Sequence, residues 1–492
     1  MDWVFRRRAI RDAFAALDEA TTQAAWQQAA EDLDEVLGLD AWREEDQAAE
    51  YDAVAVKDVI GRIERHILRR EPRALVDLLH TALHRHLPDI SDPNLYDTAF
   101  GGTKRLVTRL HDAVVEALNW LADTPFPGVS EEAKLAEFRR QQKTFGSSAL
   151  MLSGGATLGF YHLGVVKALF EAGLLPRVLS GASMGAMIAA GIASRTDTEL
   201  RELFSDLDQL DRSGLGLASG LEILQRRAVL DPECLLATIQ HNVGEYTFEE
   251  AYRRTGRTVN ISVSPTRRRQ KPRVLCHLTS PDVLLPSAAL ASSAVPGLFP
   301  PTKLARRARD GQVVAYLPDE RWIDGSMRSD LPMVRVSRLH NVNHFIVSQA
   351  NPHVVPFVSG RQQKGLRGYA RWLAAAAVHR QGVQLVGLAR DVGGKTAVGP
   401  ALDVAHALWA QAYGGDIDIV PPVPLRAYLR VVSNPTRAEL DDYVLGGERG
   451  TWPQLAQIRD STRISRTLIG CQRRLKARIE GSRATSVMAE RR

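Results

Sequence analysis

The chain has 492 residues, 45% of them hydrophobic and 24% charged, a composition typical of a globular protein with two to four domains. Its formal net charge is only +6, and basic and acidic stretches alternate, which argues against a dedicated nucleic-acid-binding protein. The three cysteines (Cys234, Cys276 and Cys471) are scattered, which argues against a disulfide framework or a zinc site. No signal peptide and no run of about 18 apolar residues is visible, so we expect a cytoplasmic protein without a spanning helix.

Residues 1–145 are predicted to form a helical N-terminal domain. Three segments carry apolar residues at helical spacing: 54–69, 72–86 and 105–121. Ser130 then begins a linking helix, because acidic residues follow it in the first turn. The first 17 residues mix apolar side chains with Arg6, Arg7 and Arg8. Such a helix can lie in a membrane interface or pack on its own domain, and we favour packing.

A glycine-rich loop follows a short apolar strand at 149–153 and precedes a helix at 160–172. Glycine lets backbone N–H groups point toward an anion. A dinucleotide site is the competing interpretation, but Ala156 stands where that fingerprint needs glycine, and no acid closes the next strand. The loop therefore predicts oxyanion stabilisation by Gly154, Gly155, Ala156, Thr157, Leu158 and Gly159.

Residues 181–185 fit the pattern G-x-S-x-G between a predicted strand and a predicted helix. In that context Gly181 and Gly185 let a sharp turn close, and the turn lifts the Ser183 hydroxyl clear of the sheet. The helix N-terminus adds a positive dipole where an oxyanion would form. The alternative is a small-residue turn that only packs a helix on a sheet, and the pattern alone leaves both open.

A candidate base lies downstream, where a short apolar run at 322–323 ends in Asp324, Gly325 and Ser326. Three histidines follow: His340, His344 and His353. Serine, aspartate and histidine occur in this order in α/β-hydrolase triads, so the spacing leaves a triad open.

The remaining segments suggest how a lipid could be approached. Residues 199–252 form an insertion after the elbow, and 215–224 are either a lid or a plain surface helix. Two strands, 259–263 and 273–277, flank a basic turn at 267–271. A second basic cluster contains Lys303, Arg306, Arg307 and Arg309. Such clusters are either simply solvated or in contact with anionic headgroups.

Residues 351–492 are predicted to be a mostly helical C-terminal extension. The apolar stretches at 372–378 and 383–388 are too short to span a bilayer. An extra strand is expected at 417–420 and a helix at 454–478, followed from Gly481 by a basic, partly disordered tail.

Together these motifs resemble the patatin-like phospholipases, and in particular the triacylglycerol lipases of yeast and plant oil bodies. The glycine-rich loop, the Ser183 elbow and the Asp324-Gly325 turn carry the resemblance. It extends over most of the chain, from about Trp42 to about Cys471. Further matching segments are 291–299, Asp330-Leu331-Pro332, 341–349, 351–353, 415–417, 433–436 and 451–453.

The resemblance implies an α/β/α three-layer patatin-like catalytic domain at 146–350 and a lipid acyl hydrolase that uses a Ser–Asp dyad. Ser183 would be the nucleophile, Asp324 the base, and His344 and His353 structural. Ala156, Leu158 and Ser326 depart from the plain patatin pattern, which bears on substrate choice more than on activity. Aspartate has a reference pKa near 3.9 and is a weak base, so we expect slow hydrolysis that depends on the oxyanion loop.

The implied substrate is a neutral glycerolipid or a phospholipid, met at a membrane or lipid-droplet surface by a peripherally associated protein. No metal, organic cofactor or nucleic acid is implied. A phospholipase or lysophospholipase and a lipid transacylase share every motif and stay open. So does a non-catalytic lipid-binding protein, although the intact loop, Ser183 and Asp324 argue against it.

Overall fold

The computed structural model describes residues 2–84, 90, 92–218, 229–267, 270–351, 414–420 and 430–490. Contacts divide the chain into two units. A helical unit contains Met1–Ser147 together with Trp452–Arg492, and a sheet unit contains Ser148–Thr451. The described residues after 350 are divided between the two units, and the predicted domain boundaries stay a prediction.

Helices precede the first strand, which begins at Ser147, and strands and helices are interspersed after it. The helices are α1 (Asp2–Glu19), α2 (Gln23–Leu37), α3 (Leu39–Glu44), α4 (Ala53–Leu68), α5 (Pro72–His84), α6 (Asn94–Asp97), α7 (Arg105–Asp123), α8 (Glu131–Phe145), α9 (Tyr161–Glu171), α10 (Met184–Ala193), α11 (Asp197–Ser205), α12 (Pro232–Val243), α13 (Phe248–Thr255), α14 (Leu285–Ser292), α15 (Ser326–Ser329), α16 (Met333–His340), α17 (Arg437–Thr451) and α18 (Leu455–Glu490). The strands are β1 (Ser147–Leu152), β2 (Val178–Gly181), β3 (Thr258–Pro265), β4 (Arg273–Leu275), β5 (Leu304–Arg307), β6 (Val313–Tyr316), β7 (Trp322–Asp324), β8 (Val342–Ser348) and β9 (Ile417–Ile419).

A seven-stranded sheet forms the centre of the sheet unit, in the order β4-β3-β2-β1-β8-β9, with β7 paired to the end of β3. Strands β1, β2 and β3 are parallel, whereas β4 and β7 run antiparallel to β3. Every residue of β3 is buried, as expected for a strand covered on both faces. The predicted α/β fold is confirmed.

The strand register brings the three predicted motifs together. Leu152 at the end of β1 pairs with Gly181 at the end of β2. Because the two strands are parallel neighbours, the glycine-rich loop and the serine turn leave the sheet at the same edge. Asp324, at the end of β7, pairs with Val263 of β3, the next strand along.

The helical unit is held by leucine and isoleucine side chains at helical spacing. Leu106, Leu110 and Val114 of α7 are buried in one cluster with Leu468 and Leu475 of α18. This spacing of three to four residues places them on one face of each helix. The shared core explains why α18 belongs to the N-terminal helices.

Helix α18 continues to Glu490, past Gly481, from which the sequence predicts partial disorder. Glycine inside a helix costs only about 1 kcal/mol relative to alanine, and alanine, methionine and glutamate after it are good helix formers. In the part of the chain that the structure describes, no helix combines the length and apolarity needed to cross a bilayer. The apolar stretches at 372–378 and 383–388 lie outside that part.

Candidate active site

Ser183 occupies a strained turn between β2 and α10. Its backbone has φ 52° and ψ −125°, a region that residues other than glycine rarely adopt. The Ser183 N–H donates to Ser292 Oγ at 3.0 Å, and Ser292 Oγ donates to the Ser262 carbonyl at 2.7 Å. A Cβ on Gly185 would lie 2.3 Å from the Leu152 carbonyl oxygen. The turn is therefore held by hydrogen bonds through Ser292 Oγ. It can pack this closely against Leu152 because Gly185 has no side chain.

Asp324 is completely buried at the end of β7. Burial raises its pKa to about 6, although hydrogen bonds from Ser326 and from the Ser183 side chain oppose this rise. The Ser326 N–H donates to Asp324 Oδ1 at 2.7 Å. Asp324 Oδ2 has no partner with full hydrogen-bond geometry among the described residues. The side chains of Ser183 and Asp324 are thus neighbours whose hydrogen bond does not reach full geometry, as is common before substrate binds.

The glycine-rich loop continues into a 3-10 turn, Ala156–Phe160. Three of its N–H groups already have acceptors: Gly154 donates to Asp330 Oδ1 at 2.8 Å, Thr157 to Val431 O at 3.0 Å and Leu158 to Gly155 O at 3.1 Å. An N–H group that already donates to an acceptor is not free to bind an oxyanion. Gly154, Thr157 and Leu158 are therefore weaker candidates among the predicted oxyanion donors. Among the described residues, no acceptor meets the N–H groups of Gly155 and Ala156. Ala156 has φ 45°, which explains why glycine is expected there.

A second buried carboxyl group, Asp330, holds this loop. Besides the Gly154 N–H, it accepts a hydrogen bond from Asn351 Nδ2 at 2.5 Å. Burial raises the pKa of Asp330 to about 7; the charge of Asp324 adds to the rise, while the bonds from Gly154 and Asn351 oppose it. The resemblance includes Asp330, but sequence reasoning gave it no role. The sequence feature that could have indicated a role for Asp330 is its position six residues after Asp324, in the same turn region.

The histidines of the predicted triad alternative have other partners. His340 Nε2 is 2.8 Å from Asn260 Oδ1, and His344 Nδ1 is 3.0 Å from Ser148 Oγ. His353 lies outside the described residues. Within those residues, no group of three metal-ligating side chains is suitably placed to hold an ion.

Sequence reasoning missed His162, a completely buried residue in the first turn of α9. Its ring bonds Ser348 Oγ at 2.7 Å and the Ser153 carbonyl at 3.0 Å. Burial lowers its pKa to about 4, which keeps the ring neutral near pH 7. His162 thus connects the base of the glycine-rich loop to β8. No local pattern marks it, because both partners come from other elements.

Ser183 lines a mostly apolar cavity of about 120 Å³. A C-terminal segment, 431–435, frames it: Thr157 Oγ1 donates to the Ser433 carbonyl at 2.8 Å, and Leu215 N–H donates to Asn434 Oδ1 at 3.0 Å. Leu215 begins the predicted lid, of which 219–224 lie outside the described residues. Apolar wall residues include Leu163, Met187, Leu210, Leu235, Leu298 and Phe299. The cavity suits an acyl chain whose carbonyl carbon reaches Ser183.

Two family patterns match the chain. The pattern described as patatin-like phospholipase covers residues 150–335, which include the loop, the elbow and the acid turn. A domain of unknown function, DUF3336, covers residues 3–143. The N-terminal helices and the catalytic region therefore occur together, as the resemblance implies.

Curated relatives are similar over nearly the whole chain. The triacylglycerol lipase ptl3 of Schizosaccharomyces pombe is 32% identical over 478 residues, covering 93% of this chain and 96% of the relative. The triacylglycerol lipase SDP1L of Arabidopsis thaliana is 33% identical and covers 99% of this chain but 62% of the relative. A patatin-like phospholipase domain-containing protein of Chaetomium globosum is 33% identical, covering 94% of this chain and 57% of the relative.

Among solved structures, VipD from Legionella pneumophila aligns with a TM-score of 0.33 and 14% identity, over 64% of this chain and 67% of that one. The assignment therefore depends on the sequence relatives and the family patterns. With a near full-length relative at 32% identity and a catalytic region that carries the family pattern, the chain belongs to the patatin-like phospholipase family of serine hydrolases and is a lipid acyl hydrolase.

Proposed function

We propose that the chain hydrolyses the ester bonds of a neutral glycerolipid, foremost triacylglycerol, with Ser183 as nucleophile and Asp324 as general base. The observation that carries this proposal is the strained Ser183 beside a buried carboxylate at the wall of an apolar cavity. The names of the fission yeast and Arabidopsis relatives support triacylglycerol as the substrate.

In the first half-reaction, Asp324 accepts the hydroxyl proton of Ser183 while Ser183 Oγ attacks the ester carbonyl carbon. The carbonyl oxygen becomes an oxyanion. Collapse of this intermediate breaks the bond to the alcohol, which takes the proton from Asp324 and leaves an acyl-Ser183 ester. The same carboxylate then removes a proton from water, whose attack releases the fatty acid and restores the Ser183 hydroxyl.

The N–H groups of Gly155 and Ala156 are the proposed oxyanion donors, because the described structure leaves both without an acceptor. One preorganised donor contributes about 3 kcal/mol to stabilisation of the transition state. Asp330 is a positioning residue, since its bond to the Gly154 N–H anchors the loop directly before the two donors.

Burial also makes Asp324 a stronger base than the sequence suggests. An ordinary aspartate has a pKa near 3.9, whereas burial raises that of Asp324 to about 6. A general base is most effective when its pKa lies near the working pH. Asp324 therefore remains ionised at neutral pH and accepts a proton more readily than an exposed aspartate.

The substrate class places the working enzyme at a lipid surface. A triacylglycerol dissolves poorly in water, so the enzyme would take its substrate from a membrane or a lipid droplet facing the cytoplasm. The apolar cavity beside Ser183 supports this placement, since an acyl chain leaving a lipid phase would enter an apolar site.

Acyl release from emulsified triacylglycerol, phospholipid and lysophospholipid tests the proposal. Ser183→Ala and Asp324→Asn should each abolish release while circular dichroism stays unchanged, and Ser205→Ala, an exposed serine, is the matched control. Loss in Ser183→Ala but not in Asp324→Asn would refute the dyad. A preference for phospholipid or lysophospholipid would replace triacylglycerol as the substrate, and acyl transfer to an alcohol in place of water would indicate a transacylase.

A further inference from the structure

Strand β6 and Leu317, the residue directly after it, expose apolar side chains to solvent. Val313 is 56% exposed, Val314 37% and Leu317 38%. Val313 and Val314 are consecutive, so their side chains point to opposite faces of the strand. In the described part of the chain, β6 pairs only with β5. An apolar strand that is open on both faces marks a surface for a partner.

Exposed cations accompany this strand. Lys303, Arg306 and Arg309 are exposed, and no described acidic side chain forms an ion pair with them. Their neighbour Arg307 differs, because it bonds Glu250. Arg306 lies opposite Val314 in the register of the hairpin. Cationic and apolar side chains therefore share one hairpin, which is the combination that an anionic lipid interface attracts.

The hairpin is close to the cavity along the chain. Leu298 and Phe299 line the cavity, and β5 begins at Leu304. Five residues of extended chain span at most about 17 Å. A lipid surface held by this hairpin would therefore lie near the wall of the cavity that Ser183 also lines.

We infer that residues 303–317, which we call the docking hairpin, bind the protein to a surface of anionic phospholipid. The apolar side chains of β6 enter the boundary between headgroups and acyl chains, while the three free cations contact phosphate and carboxylate groups. The inference rests on the proposed function, because a lipid substrate gives the surface its purpose, but it concerns binding and not hydrolysis.

The test is cosedimentation of the full-length chain with phosphatidylcholine vesicles, with and without phosphatidylserine. One variant combines Lys303→Gln, Arg306→Gln and Arg309→Gln, and a second combines Val313→Ser, Val314→Ser and Leu317→Ser. A matched control combines Val334→Ser and Arg338→Gln, two exposed residues of α16. All variants are also assayed on a soluble short-chain ester and by light scattering.

An exposed cation near an anionic membrane changes partitioning about fivefold. We therefore expect the cation variant to lose at least tenfold in binding to vesicles with phosphatidylserine, and this loss should shrink as salt increases. The serine variant should bind both kinds of vesicle less tightly. The control should bind like the wild type, and short-chain ester hydrolysis should stay unchanged in all three.

Wild-type binding by both hairpin variants would overturn the inference. So would a change from oligomer to monomer in the serine variant, because the hairpin would then contact a second copy of the chain. Ser183→Ala separates this inference from the proposed function: it should bind vesicles like the wild type even though it releases no acyl group.

Discussion

Two regions of the molecule treat buried charge in opposite ways. In the helical unit, Lys104 is only 1% exposed, and its ammonium group donates to the carbonyl oxygens of Glu45 at 3.0 Å and Gln47 at 2.9 Å. At the carboxyl edge of the sheet, Asp324 is just as buried, yet its Oδ2 has no well-formed hydrogen bond among the described residues. The ammonium charge of Lys104 is thus compensated by hydrogen bonds, whereas the carboxylate of Asp324 remains able to accept a proton.

This difference separates residues that stabilise the fold from residues that act. A buried polar group without a partner costs about 1–3 kcal/mol, and so does a strained backbone. The strained backbone of Ser183 and the buried Oδ2 of Asp324 each carry such a free-energy cost. Packing of the surrounding sheet compensates for it. The helical unit has a core of ordinary leucine and isoleucine packing. Substitutions should therefore affect activity in one region and stability in the other.

The sharpest contrast is between two glycines in helices. A methyl group on Gly185 would collide with the backbone of Leu152, whereas Gly61 in α4 has open space around it. Gly185→Ala should shift the Ser183 turn and reduce kcat at least about 100-fold. Gly61→Ala should raise the free energy of unfolding by about 0.5–1 kcal/mol without changing kcat. Acyl-release kinetics measure kcat, and urea unfolding measures the free energy of unfolding. Equal kcat in the two variants would contradict the comparison.

Truncation of a core leucine should affect stability alone. Leu468 is fully buried in the helical core, so Leu468→Ala should lower the free energy of unfolding by about 2–5 kcal/mol. At a temperature where the variant is folded, kcat on a soluble ester should be unchanged. The control Val54→Ala alters an exposed side chain and should change stability by less than about 0.5 kcal/mol. A large fall in kcat for Leu468→Ala would show that the two regions are not separable.

The carboxyl pair gives a prediction about pH. The pKa values of Asp324 and Asp330 are raised to about 6 and about 7, so the folded protein binds protons more tightly than the unfolded chain between pH ~4 and ~7. Stability from these groups is thus present at low pH and is lost as pH rises through this window. Asp330→Asn removes one such group, so it should raise the free energy of unfolding at pH 8 by about 2 kcal/mol and leave it nearly unchanged at pH 4.

The same variant should leave the acid limb of the kcat profile near pH 6, because Asp330, with a pKa of about 7, is still protonated and uncharged while Asp324, with a pKa of about 6, ionises. Asparagine still offers an acceptor to the Gly154 N–H, so kcat at its optimum should fall less than tenfold. Asp330→Leu is the comparison variant: it removes that acceptor and should reduce kcat at every pH. A clear shift of the acid limb in Asp330→Asn would show that Asp330 is charged while Asp324 ionises and would contradict this order of ionisation.

The smallest expected effect compares two residues with similar backbone strain. Ala156 has φ 45° in the loop, and Arg70 has φ 55° after α4. Glycine at either position relieves strain of about 1 kcal/mol but also gains freedom in the unfolded chain, so the net gain in stability should be below about 1 kcal/mol. Only Ala156→Gly should also change kcat, because Ala156 is a proposed oxyanion donor. A change in kcat for Arg70→Gly would contradict this difference.

Much of the site could be predicted because its chemistry follows local patterns. The strand before Ser183, the small residues around it and the helix after it lie within about a dozen residues, so hydrophobic pattern and glycine spacing were enough. Helix bounds in the helical unit were predicted nearly as well; α4, for example, begins at Ala53 where Val54 was expected. The structure continues α18 past Gly481 to Glu490, and the partial disorder expected from Gly481 stays a prediction.

By itself, the sequence determined which residues we propose to carry the chemistry: a serine in a strand-to-helix turn, an acid before a glycine, and a loop rich in glycine. Only the tertiary structure decided which of these groups are free to act. It assigns the Gly154 N–H to Asp330 and, among the described residues, provides no acceptor for those of Gly155 and Ala156, and it raises the pKa of Asp324 by burial. The physical reason is that burial and hydrogen-bond partners come from residues far away in the sequence, 274 positions in the case of Thr157 and Val431, and no local pattern encodes such contacts.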